Sequence, residues 1–84
     1  MIDLFQIGDE NRRLSNLYNI ELSSVYDPSN NWITWTIKLP SYDWKFYRIE
    51  CDYLNTEDIL YMLDKYIHNE FWGRIKEPPG GERR

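Results

Sequence analysis

The clearest pattern in the chain is the alternation of apolar and polar residues between positions 32 and 39. The apolar side chains of this segment fall on one parity, and they are Ile33, Trp35, Ile37 and Leu39. A period of two residues is typical of a β-strand with one buried face. Pro40 lacks the N–H group that a strand needs for its ladder, so we expect the strand to end at Leu39.

Turn-forming residues on both sides of this strand predict an antiparallel meander. The segment DPSNN at 27–31 precedes the strand, and PSYD at 40–43 follows it. Residues 44–53 alternate again, and their apolar parity contains Tyr47, Ile49, Cys51 and Tyr53. This second alternation predicts the returning strand of a hairpin.

The first 26 residues carry weaker signals. Residues 2–7 alternate loosely and predict a short strand, and GDEN at 8–11 is a turn signal. Residues 17–26 continue an apolar parity that favours a strand. Residues 12–16 fit either a strand or one face of a short helix.

A helical period marks the C-terminal third of the chain. Its apolar stripe consists of Ile59, Leu60, Leu63, Tyr66, Ile67 and Phe71. Asn55 and Thr56 offer an N-cap before this stripe. Glu57 and Asp58 suit the positive end of the helix dipole, and Gly73 is a natural end for the helix.

These elements predict an α+β fold. In it, a three- or four-stranded antiparallel β-meander packs one face on one C-terminal α-helix. We expect residues 1–77 to form a single small domain. Residues 78–84 begin with two prolines and two glycines and then carry mixed charges, which predicts a disordered C-terminal tail.

Composition narrows the class of protein. The 84 residues include 4 Trp, 7 Tyr and 3 Phe, and Trp and Tyr often dominate protein–protein interfaces. The single cysteine excludes an internal disulfide. There is neither a signal-peptide pattern nor an apolar run of membrane-spanning length. We therefore expect a cytoplasmic protein without membrane association.

Negative charge concentrates late in the chain, although the net charge is only −4. Between positions 50 and 70 the only lysine or arginine is Lys65, and the acids are Glu50, Asp52, Glu57, Asp58, Asp64 and Glu70. A solvated helix face is the plainer interpretation of these acids. A negative field also repels phosphate backbones and attracts basic surfaces. We therefore expect a partner protein with a basic surface and no general affinity for nucleic acid.

Catalytic and metal-binding constellations are not expected. Cys51 lies on the apolar parity of its strand, which favours a buried thiol over a nucleophile. His68 follows Asp64 by four residues, so the two predict a surface contact, whereas a metal site needs three or four ligands. No glycine-rich loop joins a strand to a helix. We expect no metal, no cofactor and no enzymatic activity.

Two places supply candidate residues for binding a partner. The predicted helix carries an outward stripe of Tyr61, Lys65, His68 and Trp72, although Trp72 fits packing against the tail or the sheet equally well. In the hairpin, Trp44 shares a parity with Trp32 and Phe46, so we expect those rings to stack. The full set of candidates is Tyr42, Asp43, Glu57, Asp58, Tyr61, Asp64, His68 and Trp72.

Three hypotheses for function follow. The first is a non-catalytic inhibitor or adaptor, of a kind that phages and mobile elements often encode, that blocks a basic nucleic-acid-binding site on a partner protein. The second is a structural homodimer that buries the aromatic face of its sheet. The third is single-stranded nucleic-acid binding by the sheet aromatics Trp32, Trp44 and Phe46, which the acidic charge disfavours.

Overall fold

The computed structural model describes residues 2–41 and 43–72, which form two helices and a three-stranded antiparallel sheet. Along the chain the elements are α1 (Leu4–Tyr18), β1 (Glu21–Asp27), β2 (Trp32–Lys38), β3 (Trp44–Glu50) and α2 (Thr56–Phe71). The predicted α+β class and the antiparallel meander are confirmed, with three strands in the order β1-β2-β3. The prediction of one helix is wrong, because a second helix precedes the sheet.

Helix α1 occupies the region where a strand at 2–7 and a turn at 8–11 were predicted. The Asp3 carboxylate accepts hydrogen bonds from the main-chain N–H groups of Phe5 (3.0 Å) and Gln6 (3.2 Å). These bonds satisfy donors that are otherwise unpaired at a helix start. The buried side chains of α1 recur at helical spacing and are Ile7, Asn11, Leu14 and Tyr18. The loose alternation at 2–7 is therefore coincidental.

The strand predicted at 17–26 starts four residues later than expected. Helix α1 continues to Tyr18 and ends at Asn19, whose φ of 58° places it in the left-handed region that suits Asn at a helix C-cap. The N–H group of Asn19 donates to the Ser15 carbonyl. Ser15 also accepts the N–H of Leu22 on its hydroxyl at 3.1 Å, which joins α1 to β1.

Both predicted turns lie between strands. The Asp27 carboxylate accepts the N–H of Ser29 at 2.9 Å, which holds the turn at 27–31. Pro40 and Ser41 form part of the second turn, while Tyr42 lies outside the described residues. Strand β3 ends at Glu50 rather than at residue 53, because a tight turn follows it.

The core lies between one face of the sheet and the two helices. Trp35, at the centre of β2, is fully buried. Its indole N–H donates to the Asn11 side-chain oxygen at 2.8 Å, and the Asn11 amide donates to the Ser24 hydroxyl at 2.9 Å. These bonds pair the polar groups that α1 buries against the sheet.

The predicted C-terminal helix is confirmed. Asn55 is its N-cap and forms a capping box with Asp58. The predicted stripe supplies its buried side chains, which are Ile59, Leu63, Ile67 and Phe71. Gly73 and the tail predicted at 78–84 lie outside the described residues. Over the ranges 2–41 and 43–72, neither helix has the length and apolar character needed to cross a membrane.

Candidate protein-binding surface

The two helices run parallel, side by side, on the same face of the sheet. Three contacts between them establish this direction. The Asp3 N–H donates to the Thr56 hydroxyl (2.9 Å), Arg13 contacts Asp64 (3.3 Å), and the Tyr18 hydroxyl lies 3.0 Å from His68 Nδ1. Both helix N-termini therefore lie at one end of the molecule.

The β1–β2 turn and the end of β3 lie at that same end. The N–H of Cys51 donates to the Asn31 carbonyl at 2.9 Å. The Asn31 side-chain amide donates to the Asp52 carboxylate at 2.8 Å. These bonds tie residues 27–31, which are distant in sequence, to the segment that leads into α2.

Besides the Asp3 carboxylate that caps α1, five carboxylates gather at this end, which we call the acidic end. Its members are Asp27, Glu50, Asp52, Glu57 and Asp58. A hydrogen bond from the Asn30 side-chain amide is the main cause that lowers the pKa of Asp27, so this carboxyl stays ionised. Arg48 is the nearest base on β3, and its guanidinium lies 3.8 Å from the centre of the Trp32 ring. The acidic end therefore presents a concentrated negative charge.

Tyr53 stands out from the acidic end in a strained backbone conformation. It lies in a turn closed by the hydrogen bond from the Leu54 N–H to the Cys51 carbonyl, at 3.0 Å. Its φ is 65°, in the left-handed region where a bulky residue is uncommon. Its side chain is fully exposed, so no packing within the described residues explains the choice of tyrosine. Such strain is typical of functional positions.

Phe5 is a second exposed ring at this end. It lies in the first turn of α1, two residues after the bond between Asp3 and Thr56, and it is 88% exposed. Leu4 beside it is half-exposed. Phe5 and Tyr53 thus add apolar surface to the acidic end, as interfaces with a hydrophobic centre and a charged rim require.

Seven of the eight predicted site residues lie within the described residues, and the structure separates them into four groups. Glu57 and Asp58 belong to the acidic end. Tyr61 and Trp72 are exposed on the outer face of α2, where Trp72 is 64% exposed and the Lys65 ammonium lies 6.0 Å from the centre of the Tyr61 ring. The remaining described residues lie between the helices or at the opposite end of the sheet.

Asp64 and His68 both contact side chains of α1. Arg13 forms ion pairs with both Glu10 (2.6 Å) and Asp64 (3.3 Å), so two carboxylates share one guanidinium. Burial, followed by the hydrogen bond and the charge of Glu10, raises the pKa of Asp64 to about 7. The hydrogen bond from Arg13 is the main cause that lowers the pKa of Glu10. One proton is therefore shared over this carboxyl pair near neutral pH.

The predicted contact between Asp64 and His68 is wrong. The hydrogen-bond partner of the His68 ring is the Tyr18 hydroxyl, and the two rings meet edge to face with centres 6.5 Å apart. The parallel arrangement of α1 and α2 explains this, since it places Tyr18 beside His68. Burial raises the pKa of Tyr18. No group of three metal-ligating side chains occurs within residues 2–41 and 43–72.

Asp43, the described candidate of the hairpin, lies at the end opposite the acidic end. Asp43 is exposed, and its carboxylate accepts a hydrogen bond from the Ser41 hydroxyl at 3.1 Å. Tyr42 lies outside the described residues. The predicted stacking of Trp44 on Trp32 is wrong, because Trp44 pairs across the hairpin with Lys38, whose ammonium lies 5.6 Å from its ring centre.

The outer face of the sheet carries further aromatic rings. Phe46 and Trp44 on β3 are exposed, and so is Val25 on β1. One face of Trp32 is covered by the Arg48 guanidinium, so that ring face is not open for a base. Cys51 faces the core, as predicted, and burial raises the pKa of its thiol.

Sequence reasoning missed Phe5 and Tyr53 as candidates, because both were assigned to strands. The Asp3 cap was the available signal for Phe5.

No family model, curated protein or solved structure matches this chain.

Proposed function

We propose that this protein is a small, non-catalytic binding module that docks its acidic end on a basic surface of another protein. The observation that carries the proposal is the meeting of five carboxylates with two exposed rings, Phe5 and Tyr53, at one end of the molecule. Where the partner's basic surface holds nucleic acid, the docked module competes with that nucleic acid and acts as an inhibitor.

Two physical effects support this function. The clustered carboxylates attract a positive surface over a distance of about 8 Å at physiological salt. The exposed rings then supply the apolar contact that most binding free energy requires. The placement of Tyr53 strengthens the proposal, because a strained and exposed tyrosine is easier to explain by contact with a partner than by folding. Small inhibitor proteins that phages and mobile elements encode often block a basic site in this way, and they resemble this protein in general class only.

The test compares two variants of equal charge in affinity capture from host lysate. The first carries Glu50→Gln, Asp52→Asn and Glu57→Gln at the acidic end. The second carries Glu21→Gln, Asp43→Asn and Glu70→Gln at the opposite end. Asp58 is left unchanged because it belongs to the capping box of α2, and Asp27 because it holds the turn.

We expect a partner that the wild type and the second variant capture and that the first variant loses. The matched charge separates a local effect from the effect of net charge. Equal loss with both variants would leave only non-specific charge attraction and would contradict docking by the acidic end. Loss with the second variant alone would move the interface to the hairpin that contains Tyr42 and Asp43.

A homodimer is the second candidate. The exposed Val25, Phe46 and Trp44 support it, since they lie on the sheet face that the described helices leave uncovered. Sedimentation at micromolar concentration tests it. A dimer that Phe46→Glu converts to a monomer is the expected result, and a monomeric wild type would remove this candidate.

A further inference from the structure

A groove lies between helix α1 and the outer edge of strand β1. Its volume is about 750 Å³. Gly8, Asn11 and Ser15 line it from α1, and Leu22, Ser24 and Tyr26 line it from β1. The buried side chains of Ile7 and Ile33 form part of its floor. It is separate from the acidic end, although Leu4 lines both the groove and the apolar surface around Phe5.

The main chain of β1 presents hydrogen-bonding groups to this groove. Within residues 2–41 and 43–72 no strand pairs with the outer edge of β1. The N–H of Leu22 donates to the Ser15 hydroxyl and so points away from β2. In an antiparallel ladder the direction alternates from residue to residue, so the N–H and carbonyl groups of Ser24 and Tyr26 also point into the groove.

Gly8 keeps the helix side of the groove open. It lies inside α1, where alanine would favour the helix by about 1 kcal/mol. A methyl group placed on Gly8 would have no heavy atom within 4 Å. The packing of the described residues therefore leaves open space over Gly8, enough for a large side chain of another polypeptide to lie against α1.

The two edges of the sheet differ in how they are protected. The edge strand β3 carries Lys45 and Arg48, and charges on an edge discourage pairing with another strand. The corresponding stretch of β1, from Leu22 to Tyr26, reads LSSVY and has no charge, proline or bulge. This stretch is flanked by Glu21 and Asp27. Among the described residues that line the groove, the only cation is Arg12, which is paired with Asp9 at 3.1 Å.

We propose that the groove binds an extended segment of another polypeptide, which adds to the sheet as a fourth strand beside β1. Main-chain bonds to Ser24 and Tyr26 hold the segment, and a side chain of the segment fills the space over Gly8. The acids at the two ends of β1 select basic residues at the ends of the segment. This site shares Asp27 with the acidic end, uses none of the acidic-end carboxylates changed in the capture test, and goes beyond the proposed function.

The test uses a phage-displayed library of short linear peptides with Lys or Arg fixed at both ends. A selected peptide is synthesised with fluorescein, and its affinity is measured by fluorescence anisotropy. We expect Gly8→Trp to weaken binding at least about tenfold and Gly8→Ala to change it less than about threefold. Gln6→Trp adds the same ring on the side of α1 away from the groove and is expected to leave binding unchanged.

Amide hydrogen exchange in the wild type gives a second readout that does not depend on a folded Gly8→Trp variant. Bound peptide should slow exchange at Ser24 and Tyr26 and leave Phe46 and Arg48 on the other edge unchanged. Failure to select any peptide, equal binding by Gly8→Trp, or protection on β3 instead would each overturn the proposal. Concentration-dependent protection of Ser24 and Tyr26 without peptide would overturn it in favour of a second copy of this chain.

Discussion

Tyr53 is the residue whose conformation and exposure disagree most with a purely structural role. Its φ of 65° is unfavourable for a residue with a β-carbon, and its ring is fully exposed. The alternation at 44–53 predicted that Tyr53 would lie on the buried face of the strand. Strand β3 ends at Glu50, however, and the turn that follows it leaves the Tyr53 ring exposed. Sequence parity cannot report where a strand stops.

Substitutions of Tyr53 distinguish the effect of backbone strain on stability from the effect of the ring on partner binding. We expect Tyr53→Gly to melt higher than Tyr53→Ala by about 4 °C, because glycine adopts the left-handed conformation without the strain that a β-carbon causes. Both variants lose the ring, so both should bind the captured partner more weakly than the wild type. Differential scanning calorimetry gives the melting temperatures. Equal melting temperatures would show that the turn relaxes without strain.

Asp64 makes the stability of the helix pair depend on pH. Its pKa is raised to about 7 in the folded protein, so the stabilisation that comes from its protonated form is present at low pH and is lost as the pH rises through about 7. The charged or titratable groups around it are Glu10, Arg13, Tyr18 and His68. We expect Asp64→Asn to stabilise the protein more at about pH 8.5 than at about pH 5.5.

Urea unfolding of both proteins at the two pH values measures this difference. The lowered pKa of Glu10 acts in the opposite direction, and its contribution is lost only as the pH falls below its unfolded value, outside this window. Repeating the comparison in a His68→Gln background tests whether the ring that contacts Tyr18 contributes to the difference. The same stabilisation at both pH values would contradict a shared proton.

At the scale of elements, the predictable parts are those with a clean period and clear ends. Strand β2 and helix α2 were predicted because Trp35 and Leu63 each lie in an unbroken apolar pattern, with Pro40 and Asn55 as boundaries. Helix α1 was missed because Gly8 resembles a turn residue and because Asn11 is polar yet buried. The reason for a buried Asn11 becomes clear only in the structure, where its side chain bonds with Trp35 and Ser24.

The cap of α1 gives a direct test of this element. We expect Asp3→Ala to lower the free energy of unfolding by about 1 kcal/mol, because it removes the acceptor for the Phe5 and Gln6 N–H groups. Asp9→Ala serves as the control, since it removes only an exposed ion pair with Arg12 and should cost less than about 0.5 kcal/mol. Urea unfolding measures both. Equal losses would contradict a helix that starts at Leu4.

At the scale of the whole molecule, the fold gathers charges that are dispersed in the sequence. The acidic run between positions 50 and 70 is divided, since Asp64 turns toward Arg13 and Glu70 pairs with Lys45 at 3.6 Å near the other end. Glu50, Asp52, Glu57 and Asp58 stay together, and Asp27 joins them from the β1–β2 turn. The sequence revealed the excess of acids. It did not reveal which of them remain at the acidic end, because that depends on the parallel packing of the two helices.

A competition between this protein and DNA for the captured partner tests whether the acidic end occupies a nucleic-acid-binding site. A fluorescein-labelled DNA duplex that the partner binds is titrated with this protein at low and at high salt. We expect full displacement at low salt, a clear loss of apparent affinity at high salt, and no displacement by the Glu50→Gln, Asp52→Asn, Glu57→Gln variant. A ternary complex in which the partner holds both the DNA and this protein would show that the acidic end does not compete with nucleic acid.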